Sequence, residues 1–85
     1  MRYTVVWLRS TEVELARIWC NVTDRHAVTQ AANEIDYLLK TSSQARGNDL
    51  EGTKEFSIFP LRVRFDVSPD DRRVTVFEVV HLTKP

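Results

Sequence analysis

The sequence predicts an α+β domain in which a helical hairpin packs on one face of a small, mainly antiparallel sheet, in the order β-α-α-β-β-β. Three observations carry that prediction. Two segments, Leu15 to Val22 and Val28 to Leu39, repeat apolar residues at intervals of three and four. Three later segments are rich in β-branched and aromatic residues, and one of them alternates strictly. A single polar stretch, Thr41 to Thr53, holds both glycines and divides the helical half from the strand-rich half.

Tyr3 to Leu8 is β-branched and aromatic and reads as the first strand. Thr11-Glu12-Val13-Glu14 fits a capping box, with the Thr11 hydroxyl and the Glu14 carboxylate each satisfying an orphan amide at a helix start. Leu15, Ile18, Trp19 and Val22 then mark one buried helical face, and Trp7 and Trp19 read as core residues beneath the helices. Thr23 or Asp24 caps a second helix whose apolar face is Val28, Ala31, Ala32, Ile35, Leu38 and Leu39. The short link makes the two helices an antiparallel hairpin. Arg46-Gly47-Asn48-Asp49 is expected to break any remaining order.

Lys54 to Phe59 and Leu61 to Val67 read as strands separated by Pro60. In the second, Leu61, Val63, Phe65 and Val67 alternate with Arg62, Arg64 and Asp66, so one face is buried and the other polar and partly basic. Ser68-Pro69-Asp70-Asp71 is a turn, because proline presets the backbone angle of its second position. Arg73 to Leu82 is the last strand. It is apolar or β-branched on both faces, which places it inside the sheet.

The chain of 85 residues has room for one domain, expected to span residues 1–85. Twelve basic residues balance twelve acidic ones, and 42% hydrophobic content is too high for a disordered segment. A single cysteine, Cys20, excludes an internal disulfide, and with only two histidines no structural zinc site and no cofactor are expected. No apolar run approaches the roughly 20 residues of a membrane span. The start of the chain turns polar too quickly for a signal peptide, so a cytoplasmic protein without a membrane partner is expected. Such a short chain buries only roughly 60–65% of its unfolded surface, so a bound partner would add to its stability.

Three stretches of this sequence resemble the RelE/ParE superfamily, the toxins of bacterial type II toxin–antitoxin modules. Tyr3-Thr4-Val5-Val6-Trp7 with Ser10 and Leu15-Ala16-Arg17-Ile18-Trp19 is similar to the family's first strand and helix. Leu50-Glu51-Gly52 resembles the Leu-x-Gly before its second strand. Pro60 to Val67, the acidic turn at Asp70-Asp71 and Val74 to Val80 are similar to its last hairpin. The resemblance implies a cognate antitoxin as partner, and one of two activities. RelE-like members cleave mRNA on the ribosome; ParE-like members bind DNA gyrase. A non-toxic orphan of the fold is the third possibility.

If the chain is a nuclease, the resemblance nominates Arg62, Arg64 and His81 as catalytic residues and Lys54, Arg72 and Arg73 as RNA contacts. An arginine there would stabilise charge on a phosphorane-like transition state, and a histidine would transfer a proton. The residue pattern alone also fits arginines that solvate a polar strand face and a histidine exposed near the chain end. His26, in the first turn of a helix, reads as surface. The zero net charge argues against a strong polyanion grip, which draws its affinity from displaced counterions. Protein binding is therefore the expected main activity.

Overall fold

The computed structural model describes residues 3–42, 48–50 and 53–82. Its elements are β1 (Thr4–Trp7), α1 (Arg9–Asn21), α2 (Arg25–Ser42), β2 (Asn48–Leu50), β3 (Thr53–Ile58), β4 (Leu61–Ser68) and β5 (Arg73–His81). The strands form one sheet in the order β1-β5-β4-β3-β2. β1 runs parallel to β5, and the remaining neighbours are antiparallel; the two helices carry the chain from β1 at one edge of the sheet to β2 at the other.

The expected element order holds, with one addition. Asn48–Leu50 lies in the stretch read as a loop, yet it pairs antiparallel with Thr53, Lys54 and Glu55. A three-residue edge strand is held by backbone bonds and needs no apolar pattern. Both glycines, residues 43–47, and Glu51 of the Leu50-Glu51-Gly52 motif lie outside the described residues.

The core sits between the helices and one face of the sheet. Ile18, Val28, Ala31, Ile35 and Leu39 come down from the helices onto Leu61, Val63 and Phe65 of β4 and Val74, Val76 and Val79 of β5. Val5, Trp7, Phe56 and Ile58 extend this layer on β1 and β3. β5 lies between β1 and β4, as its two-sided apolar character predicts. Among the described residues, no helix is long and apolar enough to cross a membrane.

The start of α1 differs from the capping box. The helix begins at Arg9, two residues before Thr11, with Leu8 as an extended N-cap and no side-chain cap bond. The cause is local. The Leu8 amide donates to Val76 O at 3.1 Å, while the Leu8 carbonyl accepts from the Glu12 amide at 2.8 Å. One residue thus closes the sheet and opens the helix, leaving Thr11 buried with no hydrogen-bond partner for its Oγ1. Glu14 turns to Arg17 instead, and that hydrogen bond holds its carboxyl below the ordinary value while raising the Arg17 guanidinium. For α2 the Asp24 alternative holds: its Oδ1 accepts the Ala27 amide at 3.0 Å.

Trp19 also departs from expectation. It is 41% exposed rather than part of the core. Its indole donates to Thr29 Oγ1 at 3.1 Å, and the Arg25 guanidinium lies 4.7 Å from its ring centre. Trp7 is half-buried against the core, as expected, and its indole reaches Asp36 Oδ1 at 3.4 Å.

Two stability measurements check these assignments. In urea denaturation, Asp24→Ala lowers stability by about 1 kcal/mol, the usual worth of an N-cap. Thr11→Val is neutral or stabilising by up to about 1 kcal/mol, because it removes an unsatisfied buried hydroxyl. A capping role for Thr11 requires a loss instead.

Candidate functional site

Among the described residues, no element covers the sheet face opposite the helices, which is bare. Strand alternation sends Arg62, Arg64 and Asp66 of β4 to that face, with Glu55 and Ser57 of β3 and Arg73, Thr75, Glu78 and Val80 of β5. Three arginines therefore share it with three carboxylates. Ser57 and Val80 flank Arg62 in register, and Glu55 and Glu78 flank Arg64. Arg62 Nε lies 3.9 Å from Glu55 Oε1, a loose ion pair.

Arg64 is held more firmly. Its Nη2 donates to Thr53 Oγ1 at 3.3 Å, and its guanidinium carbon lies 5.7 Å from the Phe77 ring centre. A register shift creates that stacking. Arg64 pairs with Glu78 but the next residue, Phe65, pairs with Val76, so Phe77 has no opposite number and bulges toward the arginine. Both Nε atoms, of Arg62 and of Arg64, are shielded from solvent without a hydrogen-bond partner.

The structure brings Arg62 and Arg64 together but parts them from the other candidates. His81 pairs with Leu61, whose side chain is in the core, so alternation turns His81 to the helix side of the sheet. It is exposed there, on a hollow of about 630 Å³ shared with Arg17, Asn21, Asp24 and Phe59. Lys54 pairs with Phe65 and so belongs to the helix side as well. Arg73 is on the bare face, but its partner Ser68 is six residues along β4 from Arg62, about 20 Å.

Arg73 reaches Asp71 at 3.4 Å. Arg72 is a turn residue with φ of 50°, a left-handed conformation, and its carbonyl accepts the Thr4 amide that begins the β1–β5 pairing. Its side chain is exposed. His26 is exposed at the start of α2, as expected. No group of three His, Cys, Asp or Glu side chains among the described residues is placed to hold a metal ion.

A second feature escaped the sequence reading. Between α1, α2 and β1 lies an open cleft of about 870 Å³, with Trp7, Leu15, Trp19, Val28 and Ala32 among its apolar lining and Glu12 and Asp36 as its acids. Asp36 also pairs with Lys40 at 3.0 Å. Leu15, Trp19, Val28 and Ala32 line the cleft, and periodicity alone reads all four as core, so no sequence signal set the cleft apart.

Two helices over one face of this mixed sheet define a RelE/ParE-like α+β fold, and solved structures of that class are similar over nearly the whole chain. The toxin–antitoxin complex RelBE2 from Mycobacterium tuberculosis matches with a TM-score of 0.78 at 17% identity, covering 95% of this chain and 99% of that one. The chromosomal ParDE toxin–antitoxin system from P. aeruginosa gives 0.74 at 14%, covering 96% and 98%. The isolated E. coli RelE toxin gives 0.58 at 14%, covering 98% and 87%. No protein-family model and no curated protein sequence matches. At these identities the likeness is one of fold.

The loose pairing on the bare face has a measurable consequence. Arg62→Ala and Arg64→Ala each change unfolding free energy by no more than about 1 kcal/mol, because partly exposed ion pairs and stacked cations contribute little. Thermal melts of the two variants check this.

Proposed function

We propose that this chain is the toxin of a type II toxin–antitoxin module and acts mainly by binding proteins: a cognate antitoxin, and a cellular target of the DNA gyrase kind. One observation carries the reading. The residues nominated for RNA cleavage are divided between two faces of the sheet, with His81 and Lys54 on the helix side and Arg62, Arg64 and Arg73 on the other, while Arg72 sits in the turn before β5. A general acid must come within hydrogen-bond reach of the group it protonates, and a sheet stands between this histidine and the arginine pair.

The α1–α2 cleft supports antitoxin binding. Its apolar lining and partly exposed Trp19 offer what an amphipathic helical segment needs: a groove for an apolar stripe and an aromatic anchor at its margin. Such a partner binds only the folded chain, so it stabilises the chain by mass action.

The adjacency of Arg62 and Arg64 favours a second reading, a ribosome-dependent mRNA endonuclease in which the two guanidinium groups hold one phosphate. Expression in growing cells separates the two. Under the protein-binding reading, translated transcripts stay intact during growth arrest and Arg62→Ala remains toxic. Transcript cleavage abolished by Arg62→Ala establishes the nuclease instead.

The antitoxin assignment has its own measurement. The product of a small neighbouring reading frame co-purifies with the chain and raises its melting temperature. Trp19→Ala weakens that complex by about 2 kcal/mol, the scale of an interface anchor. A neighbour that neither co-purifies nor shifts melting excludes the proposed partner.

A further inference from the structure

β1 is an edge strand, and among the described residues no strand pairs with its outer side. Its inner side is committed to β5: the Thr4 amide donates to Arg72 O at 2.8 Å and the Leu8 amide to Val76 O at 3.1 Å. Even-numbered residues therefore face β5. The amides and carbonyls of Val5 and Trp7 face outward, since successive residues of a strand address opposite edges. At Tyr3 the outer side is closed, because its amide donates to Lys40 O of α2 at 2.8 Å. The open length is Val5 to Trp7.

Proteins usually blunt such an edge with a lysine, a proline, an inward charge or a bulge. None is present here. Tyr3 to Leu8 has no charged residue and no proline, and the β1–β5 register runs without a shift. Val6 is 38% exposed and Leu8 41% exposed. The edge thus combines unpaired main-chain groups with uncovered apolar side chains.

We propose that β1 pairs with β1 of a second copy of this chain, antiparallel about a two-fold axis through Val6, joining two five-stranded sheets into one. Self-complementarity selects this occupant. With the axis at Val6, Val5 lies opposite Trp7 of the second copy, and each pair exchanges two hydrogen bonds, four in all. The outward groups of both residues are then all paired.

Val6 faces its twin in a non-hydrogen-bonded pair, where Cα atoms approach to about 4.5 Å and side chains are closest. The two exposed valines cover one another. Charge permits the approach. Any charged residue near a two-fold axis meets its own like charge; Tyr3 to Leu8 has none, and the Asp36 carboxylate that the Trp7 indole reaches is paired with Lys40. The chain as a whole carries no net charge to repel its twin. The contact is small for a dimer interface, so the association is concentration-dependent rather than permanent.

Sedimentation equilibrium of the chain without any partner, from micromolar concentrations to about 1 mM, tests the proposal. Reversible dimerisation is expected. Val6→Lys puts two like charges at the axis and weakens dimerisation by roughly tenfold or more. Val5→Pro deletes two of the four bonds at an edge position that tolerates proline. Val13→Lys, on an exposed position of α1, leaves dimerisation unchanged.

A Cys20→Ser, Val6→Cys double variant gives a second readout that does not depend on a destabilising change. Mild oxidation links it into a symmetric dimer, because the expected Cα spacing falls within disulfide range. A chain that stays monomeric throughout, or a dimer that neither Val6→Lys nor Val5→Pro weakens, overturns the proposal. Val5 and Cys20 line the α1–α2 cleft but Val6 and Val13 do not, so Val6→Lys is the variant that separates the two surfaces: it weakens dimerisation and leaves antitoxin binding in the cleft unchanged.

Discussion

The helices cover one face of the sheet only, and the rest of the structure depends on that asymmetry. Burial of Leu61, Val63 and Phe65 beneath Ile35 and Leu39 fixes which side of β4 is apolar. The pleat then fixes the opposite side as Arg62, Arg64 and Asp66. A slip of one residue would put three charged side chains into the core, so the apolar contact sets the register and the register sets the arginines. The bare face is therefore a consequence of the core.

Two local irregularities refine that plan. The register shift between Arg64 and Phe65 lets Val76 and Val79 both reach the core although they are three residues apart, which strict alternation forbids. It also brings Phe77 under the Arg64 guanidinium. At the other end, Arg72 takes a left-handed conformation that returns the chain into β5, and its carbonyl receives β1. A strand made early in the sequence is thereby placed beside the last one.

The distribution of chemistry follows. One face offers cations and carboxylates in equal number, a pattern unlike the continuous positive surface that nucleic-acid binding uses. The helix side offers an apolar cleft with an exposed indole, the kind of feature that protein partners fill. The solved toxin–antitoxin proteins described above share the fold at 14–17% identity, so its architecture is maintained by patterning rather than by particular side chains. Fold alone does not fix activity, and the two faces are where activities can differ.

Much of this was legible in the sequence. The three-and-four spacing of Val28, Ala31, Ile35 and Leu39 and the alternation from Leu61 to Val67 determined the helices, the central strand and the faces they bury, because local periodicity is a direct record of burial. Arg62 and Arg64 were readable as neighbours for the same reason. The start of α1, the exposure of Trp19 and the side on which His81 falls were not readable. Each depends on a contact between residues distant in the chain: Leu8 with Val76, Trp19 with Thr29, His81 with Leu61. Periodicity determined which residues could be buried together; only the packing of β1 and β5 against their distant partners decided which chemistry shares a face.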